Sequence, residues 1–108
     1  MSYRRIAECL RSAAFVIRGG YWCQGALAKD HKGFQLSHHN HQACAWCADG
    51  AIYANRGHEE ESKTFADVFC KRKHGVGLVK FNDTPGRTAK EVADLLDAAA
   101  DEAERMAK

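Results

Sequence analysis

Cys44-x-x-Cys47 and Cys70-x-x-x-His74 are two short pairs of soft or borderline metal ligands. Together they have the composition of a Cys3His zinc site, and His41 is a further candidate ligand. The surrounding residues argue against it. Cys44 and Cys47 stand in an Ala-rich apolar segment rather than in the turn that presents a zinc knuckle. Reduced Cys also packs readily as a small buried residue. The expectation is therefore no cofactor, with zinc on Cys44, Cys47, Cys70 and His74 as the one alternative. A thioredoxin-like use of Cys44-Ala-Trp-Cys47 needs a preceding strand in a βαβ unit, which the flanking sequence does not offer. A nucleophilic Cys47 or Cys23 needs a His within hydrogen-bond reach, which spacing alone cannot place.

His38-His39-Asn40-His41 falls, with His31, in the polar stretch 29–41. Four adjacent letters lack the wide spacing of a His-Asn-His nuclease motif. A His-rich loop can bind a transition metal or titrate near neutral pH, but nothing nearby fixes a geometry, and a solvated loop accounts for it.

Asn82-Asp83-Thr84-Pro85-Gly86-Arg87-Thr88 is the most structured stretch outside the periodic segments. Asn82, Asp83 and Pro85-Gly86 are turn formers, and Thr88 opens a helix. A helix N-terminus beside Arg87 can bind an anion or phosphate. The same residues also suit a purely architectural turn that delivers the chain into a helix cap.

The elements that must position these residues read as helices. Ile6, Leu10, Ala13, Ala14 and Ile17 form one stripe over 3–18, with Ser2 as N-cap and Gly19-Gly20 as the stop. Residues 21–28 are expected to make one or two helical turns. Residues 41–54 are expected to form a central buried helix, in which Gly50 admits a close helix neighbour. A solvated connector over 55–61 leads into a helix from Ser62 to Lys73, with Phe65, Val68 and Phe69 inward. Residues 76–81 fit either a strand or a helical turn. Thr88-x-x-Glu91 is a capping box, and Val92, Leu95, Leu96, Ala99, Ala103 and Met106 continue one apolar face behind it. Lys90–Asp94, Asp101–Arg105 and Glu104–Lys108 are opposite charges at i,i+4. The expected fold is one all-α domain over 1–108, a bundle of four or five helices with a polar His-rich loop.

The 108 residues carry a net charge of +2, too small for a dedicated nucleic-acid binder. The charges are uneven. Residues 1–40 hold Arg4, Arg5, Arg11, Arg18, Lys29 and Lys32 against Glu8 and Asp30, whereas residues 88–108 hold an acidic excess. Complementary packing of the first and last helices explains this; a basic face for an acidic partner is the other account. No apolar run approaches the roughly 18 residues of a membrane span. Glu8, Arg11 and Arg18 interrupt any secretory signal, so a cytoplasmic protein with five reduced thiols is expected.

Several motifs in fixed order also carry a resemblance. They are Gly19-Gly20, Trp22-x-Gln24-Gly25-x-x-Ala28-x-Asp30, Trp46-Cys47-Ala48-x-Gly50-Ala51, and Asn82-Asp83-x-Pro85-Gly86-Arg87-Thr88 leading to Glu91-Val92. In these the chain resembles a family of small bacterial and bacteriophage proteins classed as a domain of unknown function. The resemblance implies no activity. Its pattern includes Cys47 but does not require Cys23, Cys44, Cys70 or His74, which lowers the expectation of zinc. It directs attention to Trp22, Gln24, Trp46, Asn82, Asp83, Arg87 and Thr88 as candidate ligand-binding residues, with the Trp-x-Gln-Gly segment expected to pack on the Asn-Asp turn.

No complete catalytic constellation is present. The expected function is a non-enzymatic, protein-binding accessory module of bacterial or phage origin. The alternative is a small-ligand, anion or metal site, enzymatic or not, at Trp22, Gln24, Cys47, Asn82, Asp83 and Arg87.

Overall fold

In a computed structural model the described residues are 2–54 and 58–108. Their element order is α1 (Tyr3–Arg18), β1 (Ala28–Lys29), β2 (Gln35–Leu36), β3 (Ala45–Trp46), α2 (Ala48–Ala54), α3 (Glu59–His74), α4 (Leu78–Asp83) and α5 (Ala89–Met106).

The two long amphipathic stripes find each other. α1 and α5 make the most extensive contact in the molecule and bury Ile6, Leu10 and Ile17 against Val92 and Leu96. Their caps are local. Ser2 Oγ accepts from Arg5 N at 3.4 Å, and Thr88 and Glu91 form both bonds of the capping box. Part of the uneven charge is neutralised within this pair. Arg11 binds Asp101 at 2.7 Å and Glu104 at 3.0 Å, while Arg18 binds Asp97 at 2.6 Å and Asp94 at 2.9 Å. The two helices are thus antiparallel. Two of the expected i,i+4 pairs give way to this arrangement. Asp101 and Glu104 turn to Arg11, and Arg105 turns to Glu102 at 2.6 Å; Lys90–Asp94 forms as expected, at 2.7 Å. α2 and α3 pack on α1, and α4 packs on α3.

The expectation of a mostly helical domain holds, with five helices among the described residues, and a small three-stranded antiparallel sheet in the order β2-β1-β3 is added to them. Ala28 pairs with Leu36 and Trp46, and Lys29 with Gln35 and Ala45. Residues 21–28 are therefore not helical turns: Trp22 forms a parallel bridge to Trp46, and Ala28 lies in β1. The expected helix over 41–54 exists only as α2, since Ala45–Trp46 are strand. The 29–41 loop is partly a hairpin. Asp30 Oδ1 accepts the amides of Lys32 and Phe34, each at 2.9 Å, and so closes the β1–β2 turn through a side chain rather than through apolar periodicity.

Other expectations shift similarly. α3 starts at Glu59, before Ser62, and of the proposed connector residues 55–57 lie outside the described ones. Of residues 76–81, Leu78 to Phe81 form the start of α4 behind an extended Gly77, and Asn82 and Asp83 end that helix instead of forming a turn. Gly50 is approached by backbone rather than by a helix: a Cβ there would collide with the carbonyl group of Leu27. Phe69 is inward and Phe65 partly so, but Val68 is 50% exposed, and Met106 is 46% exposed at the end of the α5 stripe.

Candidate functional site

α4 is only six residues long, so its end groups need partners from elsewhere. Gln24 Nε2 donates to the carbonyls of Asn82 at 2.9 Å and Thr84 at 3.1 Å. Arg87 Nε donates to Phe81 O at 2.9 Å. The Arg87 guanidinium also lies 3.7 Å from the Phe81 ring centroid and pairs with Glu91 at 3.3 Å. Arg87 therefore caps the end of α4 through Nε and reaches the first turn of α5 through Nη1.

Asn82 is fully buried at the centre of the group. Its Oδ1 accepts from Trp22 Nε1 at 2.8 Å and Ala48 N at 3.0 Å. Its Nδ2 donates to Cys23 O at 3.1 Å and Asp83 Oδ1 at 2.9 Å. An amide has two lone pairs and two N–H groups to offer its neighbours, and all four are engaged. Asp83 Oδ1 additionally accepts from Gly25 N at 3.0 Å. Gly25 sits at φ 83°, a left-handed conformation that turns its amide toward that carboxylate without strain. The Trp-x-Gln-Gly segment thus lies directly on the Asn82–Asp83 end of α4. Trp46 joins by its bridge to Trp22, and its indole Nε1 donates to His38 O at 3.2 Å. Thr88 belongs to the cap of α5 instead.

Cys47 precedes α2, and its Sγ accepts from Gly50 N at 3.4 Å, which is the position of an N-cap oxygen. Burial pushes its thiol up to about 11, and likewise that of Cys70 to about 11. Burial also raises Cys23. These thiols are held neutral and are poor nucleophiles. Cys70 is fully buried in the core, and His74 packs on Phe81 with ring centroids 4.7 Å apart. The candidate set Cys44, Cys47, Cys70 and His74 is therefore not gathered. Among the described residues, no three His, Cys, Asp or Glu side chains converge in a way that could hold a metal ion.

Of the candidate ligand residues, Arg87 borders a cleft of about 330 Å3, together with Phe69, Lys73, His74 and Phe81. The more apolar concavity lies elsewhere. Phe15, Val16, Arg18, Gly19 and Tyr21 surround a depression of about 410 Å3 at the end of α1. Phe15 is 80% exposed and Tyr21 is 56% exposed. Motif spacing gives Phe15 no weight, and Tyr21 enters only as the aromatic before Trp22. The available signal is negative: Phe15 is a large aromatic that falls off the Ile6–Leu10–Ile17 stripe, so the core cannot be what holds it.

These features define a small, mostly helical domain whose motif residues form an internal clasp between a short sheet and α4. The chain belongs to a family of unknown function, DUF6197, whose model matches residues 1–102. Neither the curated proteins nor the solved structures contain a match. Among the described residues no helix is long and apolar enough to cross a membrane.

Proposed function

We propose that this chain is a non-enzymatic accessory module, of bacterial or phage cytoplasmic origin, that docks on a partner protein through the end of α1. The observation that carries this is the exposed Phe15–Tyr21 surface. Exposed aromatics around a concavity are typical anchors of protein recognition. The occupant that fits is an apolar side chain, leucine-like or aromatic, presented by a folded partner. The saturated bonding of Asn82 supports the same reading from the other side. A ligand could reach that amide only by displacing a protein bond.

The test uses a partner recovered from the native host and then purified. Titration calorimetry should show direct binding to the wild-type chain and at least a tenfold loss of affinity with Phe15→Ser, at unchanged melting temperature. Equal affinities for the two chains would remove the α1 surface from the function.

A further inference from the structure

We infer that a second copy of this chain docks on the outer face of α3, the two α3 helices running antiparallel across a two-fold axis. The apolar stripes of α3 and α5 do not end where the core ends. Val68 and Met106 continue them into solvent, at 50% and 46% exposure. With Tyr3 and Phe65 they line a groove of about 520 Å3, bordered by Arg72 and Glu102. This groove lies on α3 and the far end of α5, away from the Phe15 surface, and does not depend on the function proposed above.

The charge pattern of α3 selects the occupant. Glu60, Thr64, Val68 and Arg72 are all exposed and form one ridge at steps of four residues. The acid is at one end, the base at the other, and the uncharged residues lie between. A two-fold axis through the middle of that ridge brings Glu60 of each copy to Arg72 of the other and sets Thr64 beside Val68. A face with this antisymmetry complements itself, as an isologous interface requires. Among the described residues neither Glu60 nor Arg72 belongs to an ion pair within its own chain. The Arg72 guanidinium carbon lies 6.0 Å from the Phe69 ring centroid. One face of a 16-residue helix is roughly 24 Å long and about 10 Å wide, so it offers roughly 240 Å2, well short of the roughly 800 Å2 per partner of a standard interface, and Tyr3 and Met106 add only part of the difference. The expected dimer is therefore weak, with a dissociation constant in the micromolar range.

Sedimentation equilibrium on the full chain, from low micromolar to submillimolar, reads the association directly. The mass should rise from 12.0 kDa toward twice that value. Glu60→Arg and Arg72→Glu should each weaken association at least tenfold, as should Val68→Ser. The double variant E60R/R72E should recover it. That recovery cannot come from a sturdier fold, because both reversals oppose the α3 dipole and the double variant carries both penalties. Thermal melts of each variant confirm folding. A single 12.0 kDa species at every concentration would overturn the inference, as would a double reversal no better than either single one.

Discussion

Asn82 accepts the indole N–H of Trp22 at 2.8 Å, across 60 residues of chain. The same oxygen holds Ala48 N at the start of α2, so one side chain fixes the Trp22 segment, α2 and α4 relative to each other. Asn82 itself is fully buried at the centre of a clasp whose rim reaches the surface at Gly25 and Asp83, and its members depend on one another.

Asn82→Ala should therefore destabilise the protein by about 3 kcal/mol or more, because it strands two donors and the Cys23 carbonyl in the interior. Asn82→Asp keeps the acceptor but sets a second carboxylate against Asp83 and Cys23 O. That variant should be less stable near neutrality than in mild acid. Urea denaturation followed by tryptophan emission measures both. An Asn82→Ala loss below about 1 kcal/mol would mean the clasp is not structural.

Gly50→Ala should cost about 1–3 kcal/mol, since the added methyl meets the Leu27 backbone, which cannot rotate away. Cys47 N donates to Leu27 O at 3.2 Å, so any retreat of that segment lengthens a bond at the start of α2. Circular dichroism melts should show the drop, which helix propensity cannot cause, because Ala is the better helix former.

The thiols should react in a set order. Cys44 is the one cysteine that is not buried, whereas burial holds Cys47 and Cys70 at about 11. At mildly alkaline pH, iodoacetamide should label Cys44 first and reach Cys47 and Cys70 only on unfolding. Mass mapping of the labelled peptides reads the order, and early modification of Cys47 would contradict the buried cap.

Asp49 carries a pH signature. It is 5% exposed, its Oδ1 has no hydrogen-bond partner among the described residues, and burial raises its carboxyl above the ordinary range. The folded state then binds this proton more tightly than the unfolded chain does. Stability from this group is full below the unfolded value and falls as pH rises through the raised one. Asp49→Asn should remove that loss, so the variant gains stability over wild type near neutrality and converges with it in acid. Parallel denaturant titrations at about pH 4 and about pH 7 make the comparison. An unchanged difference at the two values would assign Asp49 no titration on folding.

α1 and α5 are legible in the sequence because a helix and its caps are local. A 3.6-residue period, Ser2 before Arg5, and Thr88 before Glu91 act within a few residues of one another. The grouping of Trp22, Gln24, Asn82 and Asp83 was legible as a set of motifs, but not as a bonding pattern. Asn82 and Asp83 carry turn propensity, yet distant Trp22, Gln24 and Gly25 hold them at the end of a helix. Two-residue strands such as Ala28–Lys29 and Ala45–Trp46 are too short to show a period of two, and the Ala and Cys around them favour helix by composition. Their partners, brought together by chain folding, decided their conformation. The same holds for the charges: Asp101 and Glu104 have i,i+4 partners in sequence, but the packed Arg11 sits nearer. The helical period and the end caps were determined by the sequence alone. Interactions that require two remote backbones to meet were decided only by the tertiary structure, because their energies exist only once the core has formed.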